Sequence, residues 1–520
     1  MMSRLLTTAA VLGLSATVAQ ADYSLTILHT NDFHARFEPV SKYDSGCGAE
    51  DNAEGKCFGG SARMVTAVEA ARAKTNNSIL VDGGDQFQGT LYYTYDKGKV
   101  AAEMMNKLGY DAMTVGNHEF DDGPEVLREF ANNVNFPILM SNADISGEPL
   151  IKDVIQKSVV IERGGEKIGL IGLTPQDTDE LASPGKNITF TDPAGAVQSE
   201  VDRLAAEGVN KIIVLSHSGY EVDKAVAAAT TGVDVIVGGH SNTLLSNSND
   251  RAVGPYPTVV GGTQIVQAYA YGKFLGELNV TFNDAGEVIE TSGDLTVIDG
   301  TVAEDADTVA RIKELGMPLD EIRNKVVAQS EGLIEGDRSV CRVQECAMGN
   351  LIADAMLARV KDQGVEIAIA NSGGIRASID AGDVTMGEVL TVLPFQNTLS
   401  TFQVSGQTVI DALENGVSQV EEVKGRFPQV AGLSFTWDSS VAPNEGRIVE
   451  VMVGGAPIDP AKTYSLVSNN YVRGGGDGYK MFRDAENAYD FGPDLADVLA
   501  EYMAASGGVA PMVGGRITKK

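Results

Sequence analysis

The chain has 520 residues, 43% hydrophobic and 21% charged, a composition of soluble globular proteins and a length beyond one ordinary core. Its formal charge of −31 excludes electrostatic gripping of a DNA or RNA polymer, which such a surface would repel. A small anionic ligand is still admitted where local cations or metals invert the field.

The N-terminus reads as an export signal. Arg4 supplies a positive start, residues 5–18 an apolar run, and Ala19-Gln20-Ala21 a small-x-small cleavage site, so the mature chain is expected to begin at Asp22 in a periplasmic or extracellular setting. The run falls short of the ~20 residues needed to span a bilayer, which disfavours an uncleaved anchor. Residues 516–520 close the chain with no hydrophobic tail for a lipid anchor. Export makes the four cysteines readable as two local disulfides, Cys47 with Cys57 and Cys341 with Cys346; a thiolate zinc site is the competing reading.

From residue 24 to about 280, short β-branched runs (25–28, 78–81, 112–115, 168–172, 211–215 and 233–237) alternate with segments of helical spacing such as 62–74 and 124–132. That rhythm predicts a layered α/β domain with a central sheet over 22–305. Residues 275–298 read as antiparallel strands closing it. Residues 306–329 are polar and helix-prone, a linker helix. A second α/β unit, with a strand at 366–370, is expected over 330–520.

The residues just beyond these strands carry the chemistry. Residues 25–28 run into His29-Thr-Asn-Asp32-Phe-His34, 78–81 into Asp82-Gly-Gly-Asp85, and 112–115 into Gly116-Asn117-His118-Glu119. Likewise 211–215 run into Ser216-His217 and 233–237 into Gly238-Gly-His240-Ser-Asn242. In open α/β sheets ligands bind beyond the carboxyl ends of strands. The chain has five histidines, and all of them sit at these positions. With Asp32, Asp85 and Asn117 they point to a metal centre, His29 excepted, because it lies inside its strand, before the turn, and suits packing or a supporting place behind the ligands. Imidazole, carboxylate and amide donors without thiolates suit zinc, manganese, iron or cobalt. The donors are too many for one ion, and Asp85 is placed to bridge two at the ~3.5–4 Å separation used in phosphoryl chemistry. His118 precedes Asp121, whose carboxylate can hold the ring's tautomer and favour its cation, leaving the other nitrogen for phosphoryl oxygens or the leaving group.

These segments resemble the 5′-nucleotidase family of calcineurin-like metallophosphoesterases, through Asp32-x-His34, Gly84-Asp85, Gly116-Asn117-His118-Glu119 and Gly239-His240 in that order, with matching blocks in the second half. The resemblance implies an N-terminal four-layer sandwich of mixed sheets flanked by helices, a linker helix and a C-terminal substrate-binding α/β domain. It implies one metal on Asp32, His34 and Asp85, with Asn242 as a further ligand. The other would sit on Asp85, Asn117, His217 and His240, with His118 and Asp121 as the catalytic dyad. Zinc is the first expectation for the two divalent ions, manganese or cobalt the alternatives. Arg342 in the cysteine-closed loop, and Asn371 and Arg376 in Asn371-Ser-Gly-Gly-Ile-Arg376, would bind phosphate and substrate; arginine forks onto phosphate oxygens independently support this. Phe395 and Tyr471 would sandwich a nucleobase, with Asp477 on a ribose hydroxyl or holding its loop.

The expected activity is hydrolysis of nucleoside 5′-monophosphates to nucleoside and phosphate by a metal-activated water. UDP-sugars and 2′,3′-cyclic nucleotides are alternatives on the same site, and a non-catalytic periplasmic binding protein is the rival of another class. The partner is then a small nucleotide, with no polymer and no stable membrane anchor. Metals on one domain and the base clamp on the other mean that the site has to be assembled across both.

Overall fold

A computed structural model describes residues 22–42, 44, 46–490 and 492–520. The predicted export signal at 1–21 lies outside the described residues.

The N-terminal half contains two central sheets where the periodicity predicts one. In spatial order the first runs Val288–Val297, Phe274–Phe282, Tyr23–Thr30, Ser78–Asp82, Ala112–Thr114, Ile138–Leu139 and Ile155–Gln156. The second runs Thr258–Val260, Thr263–Val266, Val235–Val237, Ile212–Ser216, Glu166–Leu173 and Ser158–Arg163. Both are parallel at the centre and antiparallel at an edge. Alternation cannot separate the sheets, because their strands are buried on both faces and read as continuous apolar runs. Leu25, Ile27, Ile79 and Val81 of the first sheet pack against Leu170, Ile213, Leu215 and Val235 of the second. Helices Ser61–Arg72, Lys99–Leu108 and Gly123–Asn133 cover the outer face of the first. Pro193–Ala206 and Tyr220–Ala229 cover that of the second. The result is a four-layer sandwich, closed by the antiparallel pair Phe274–Phe282 and Val288–Val297.

The continuous helix expected over 306–329 does not form. Asp305 caps a helix over Ala306–Gly316 by accepting a hydrogen bond from the Thr308 amide. A 3₁₀ turn at Met317–Leu319 and a short helix at Asp320–Arg323 follow. Pro318 accounts for the interruption, since its ring removes a donor and clashes with the preceding turn. Val326–Ser330 is then a strand, paired antiparallel with Gly382–Thr385, so β structure begins before residue 330.

The C-terminal half is built on a five-stranded sheet, ordered Pro428–Ala431, Ile367–Asn371, Thr463–Asn469, Leu399–Ser405 and Glu486–Tyr489. Helices Ala347–Val360 and Leu495–Ala505 pack on one face. Gly406–Gly416 and a four-stranded sheet that includes Leu433–Trp437 pack on the other. Both disulfides form as paired in the sequence, with Cα–Cα distances of 6.0 Å for Cys47–Cys57 and 5.1 Å for Cys341–Cys346.

Candidate active site

The parallel strands of both N-terminal sheets end at one edge, and the turns beyond them are tightly bent. Asp32, His34, Asp85, His240 and Asn242 all have left-handed φ, between 50° and 67°. Non-glycine residues hold that conformation only where their surroundings impose it, and such strain gathers at functional sites. Gly84 and Gly116 let the turns meet. A Cβ on Gly116 would stand 2.2 Å from Asp85 Oδ1, and one on Gly84 2.8 Å from His217 Nδ1.

Three imidazole nitrogens surround one carboxylate oxygen. Asp85 Oδ2 is 2.9 Å from His217 Nε2, 3.8 Å from His34 Nε2 and 3.9 Å from His118 Nε2. Asp32 Oδ1 lies 3.9 Å from His34 Nε2 and 4.0 Å from His217 Nε2. His240 Nδ1 is 2.9 Å from Asn117 Oδ1, and its amide donates to Asp32 Oδ2. The ring orientations are held from behind, because His34 Nδ1 meets the Phe87 carbonyl and His217 Nδ1 the Gly83 carbonyl. Each therefore turns Nε2 to the centre, the arrangement that metal-ligating histidines use. Among the described residues, His34–Asp85–His118 and Asp85–His217–His240 form groups with metal-binding spacing. Asn242 is buried two residues beyond His240, and neither atom of its amide has a hydrogen-bond partner. The donor set and this orphaned amide fit divalent cations.

Burial opposes charge throughout the cluster, so the contacts decide. Burial tends to raise Asp85, but His217 and His118 outweigh it and hold the carboxylate well below its ordinary range. His217 is pushed up to about 10 against burial, by Asp85 and Asp32. Asp32 rises, chiefly through burial. His118 Nδ1 stands 2.7 Å from Asp121 Oδ2, and against burial Asp121 and Asp85 raise the imidazole's pKa. His29 is not part of the cluster. It is fully buried with Nε2 2.8 Å from the Tyr256 hydroxyl, and burial lowers it to about 3.

The C-terminal half faces this centre across a cavity of about 470 Å³, whose wall includes Asn117, His118, His240, Arg342, Asn371, Arg376, Phe395, Tyr471 and Asp477. Arg376 Nη2 is 3.0 Å from His34 Nε2, and its guanidinium carbon lies 5.5 Å from the Phe395 ring centre. Phe395 stacks on His118 with centroids 5.4 Å apart. Arg342 is buried, and burial together with Arg338 and Arg376 disfavours its charge, a cost that an anionic ligand would relieve. Asp477 Oδ2 accepts from Asn371 Nδ2 at 2.7 Å, and the Tyr471 hydroxyl donates to Asp477 Oδ1 at 3.3 Å. The structure thus brings every residue singled out in the second half to the cavity facing the metal-type cluster.

Glu119 and Lys424 are among the residues at the site that were not singled out in the sequence. Glu119 is fully buried and accepts hydrogen bonds from the amides of Asp85, Gln86, Phe87 and Gly116 at 2.7–3.2 Å. Its place in Gly116-Asn117-His118-Glu119 was the available signal. Lys424 lines the cavity with Nζ 3.5 Å from His240 Nε2, and the sequence marks it only by the glycine that follows.

Comparison with known proteins accords with this geometry. The calcineurin-like phosphoesterase family matches residues 25–243, and the 5′-nucleotidase C-terminal domain matches residues 326–484. The 5′-nucleotidase of Mus musculus is 39% identical, over 98% of this chain and 93% of its own length. A snake venom 5′-nucleotidase of Gloydius brevicauda is 37% identical, over 96% and 90%. Among solved structures, a 5′-nucleotidase precursor from Thermus thermophilus superposes with a TM-score of 0.91 at 40% identity, covering 96% of this chain and 99% of that one.

Proposed function

Because the chain belongs to the 5′-nucleotidase family of calcineurin-like phosphoesterases, we propose that it hydrolyses nucleoside 5′-monophosphates to nucleoside and phosphate in the cavity between its two halves. It is a phosphoric monoester hydrolase of a family that works with two divalent ions. The observation that carries the assignment of the site is the convergence of His34, His118 and His217, from three different strand ends, on Asp85 Oδ2.

Asp32, His34 and Asp85 would hold one ion, Asp85, Asn117, His217 and His240 the other, and Asn242 offers a further amide. Zinc suits the donors first, then manganese or cobalt. Such a pair supplies Lewis acidity and a nucleophilic water near neutral pH. Arg342 and Arg376 bind the phosphate, where fork geometry and two cations favour a dianion. The base enters between Phe395 and Tyr471, and Asp477, already bonded to Asn371, takes a ribose hydroxyl. His118 keeps Nδ1 on Asp121 and presents a protonated Nε2 to the phosphoryl oxygens or the departing ribose oxygen.

Export is part of the same reading. It is supported by the two disulfides, the signal-like N-terminus and the venom relatives, while no helix among the described residues is long and apolar enough to cross a membrane. The test is phosphate release from 5′-AMP by purified protein supplied with Zn²⁺, Mn²⁺ or Co²⁺, with Asp85→Ala and EDTA as controls. Turnover that survives either control refutes the assignment of the site. Ligand binding without turnover would restore the binding-protein reading.

A further inference from the structure

The loop that carries Lys424 is built into the substrate wall. Val423 holds a left-handed φ of 55°, which a β-branched residue adopts only under constraint. Two neighbouring segments supply that constraint. Gly373 N donates to Gly425 O at 2.8 Å and Ser372 N to Phe427 O at 2.9 Å, which ties the loop to the turn after Asn371. Arg342 Nη1 donates to the Val423 carbonyl at 3.4 Å. Gly373 and Gly425 meet back to back, and a Cβ on Gly425 would lie 2.8 Å from Gly373 Cα. The loop that carries Lys424 is therefore tied to the turn after Asn371 and to Arg342.

Its ammonium then reaches across to the N-terminal half. Nζ is 3.5 Å from His240 Nε2, while Arg376 Nη2 is 3.0 Å from His34 Nε2. The C-terminal half thus sets Lys424 against the ring of one histidine and Arg376 against the ring of another, at opposite ends of the cluster, with Arg338 on the His240 carbonyl and Arg342 on the same cavity wall as Lys424 and Arg376. Resting on the reading of this cavity as a phosphomonoesterase site, we propose that Lys424 is a third phosphate-binding cation, which contacts the phosphoryl group at its His240 end and selects a terminal, doubly charged phosphate over a diester. A terminal phosphate offers three non-bridging oxygens for three cations; a diester offers two and carries one charge. A lysine suits this place because, as a point charge, it needs no planar partner.

The experiment uses the metal-loaded enzyme and its Lys424→Met and Lys424→Arg variants. Calorimetry measures binding of inorganic phosphate, dimethyl phosphate and adenosine, alongside metal content and kcat/KM for 5′-AMP. Loss of a hydrogen bond to a charged group should weaken phosphate about ten- to hundredfold in Lys424→Met. Dimethyl phosphate should weaken less, adenosine and metal content should hold, kcat/KM should fall with phosphate affinity, and Lys424→Arg should recover most of the loss. Unchanged phosphate affinity overturns the proposal, as does an equal fall for adenosine, which would mark a merely structural residue. An equal fall for dimethyl phosphate overturns the selection of the dianion. A wild type that releases no phosphate from 5′-AMP with any divalent ion refutes the underlying reading instead.

Discussion

Glu119 touches nothing in the cavity, yet its replacement should disable the metal centre. Oε1 accepts from the amides of Gln86 at 2.8 Å and Phe87 at 3.2 Å, and Oε2 from those of Asp85 at 3.0 Å and Gly116 at 2.7 Å. One carboxylate therefore joins the turn that carries Asp85 to the turn that precedes Asn117 and His118. In Glu119→Gln, whichever way the amide rotates, its NH₂ faces two backbone donors. Burial, then Asp85, raises the Glu119 carboxyl to about 7, so above that pH two bonds to a charged acceptor at ~1.5–3 kcal/mol each are lost, roughly 3–6 kcal/mol in total, a large share of the 5–15 kcal/mol that stabilises a typical domain. At ~2–4 °C per kcal/mol the melting temperature should drop by more than about 6 °C. Since the left-handed Asp85 turn is the part released, the variant should also lose metal on dialysis under conditions where the wild type retains it, read by elemental analysis. Equal retention and a melting temperature within about 2 °C of the wild type would show that these four bonds do not hold the site together.

Three further outcomes are expected. His118→Asn should lower kcat about 10²- to 10⁴-fold with metal content unchanged, and Asp121→Asn less, as expected of a proton-handling pair; loss of metal in either variant would make His118 a ligand instead. Gly476→Ala would place a Cβ 2.4 Å from the Tyr471 ring and displace it. KM for 5′-AMP should rise about five- to hundredfold, as a lost base stack implies, while glycerol 2-phosphate, which has no ring to stack, is turned over as before; parallel losses would remove Tyr471 from base binding. Asp223 is fully buried with a 2.5 Å bond from the Ser216 hydroxyl, and burial raises it from 3.8 to about 7. The folded chain keeps this proton where the unfolded chain releases it, so the contribution is fully present below pH 3.8 and is lost as pH rises through 7. The swing amounts to roughly 4 kcal/mol. Asp223→Asn should therefore melt higher relative to the wild type at pH 8 than at pH 5, and parallel melting curves would contradict this.

The sequence alone determined the chemistry available and the edge at which it gathers. Parallel strands with polar turns at their carboxyl ends deliver His34, Asp85 and Asn117 to one edge of the first sheet and His217 and His240 to one edge of the second, and the stacking of the two sheets brings those edges together. The sequence also set His29 apart, since an inward position in a strand leads to the core, where Tyr256 receives it. The tertiary structure decided what depends on contacts between distant segments. Alternation could not count the sheets, because both are covered on both faces. Helical composition carried the expected linker past Pro318, where a missing donor breaks it and the next residues pair as a strand instead. Glu119 stood in the sequence only as the end of a motif, and only the glycine that follows marked Lys424. Only the folded chain places four amides around one carboxylate and an ammonium beside His240, because hydrogen bonds are short and residues 184 positions apart in sequence meet only through packing.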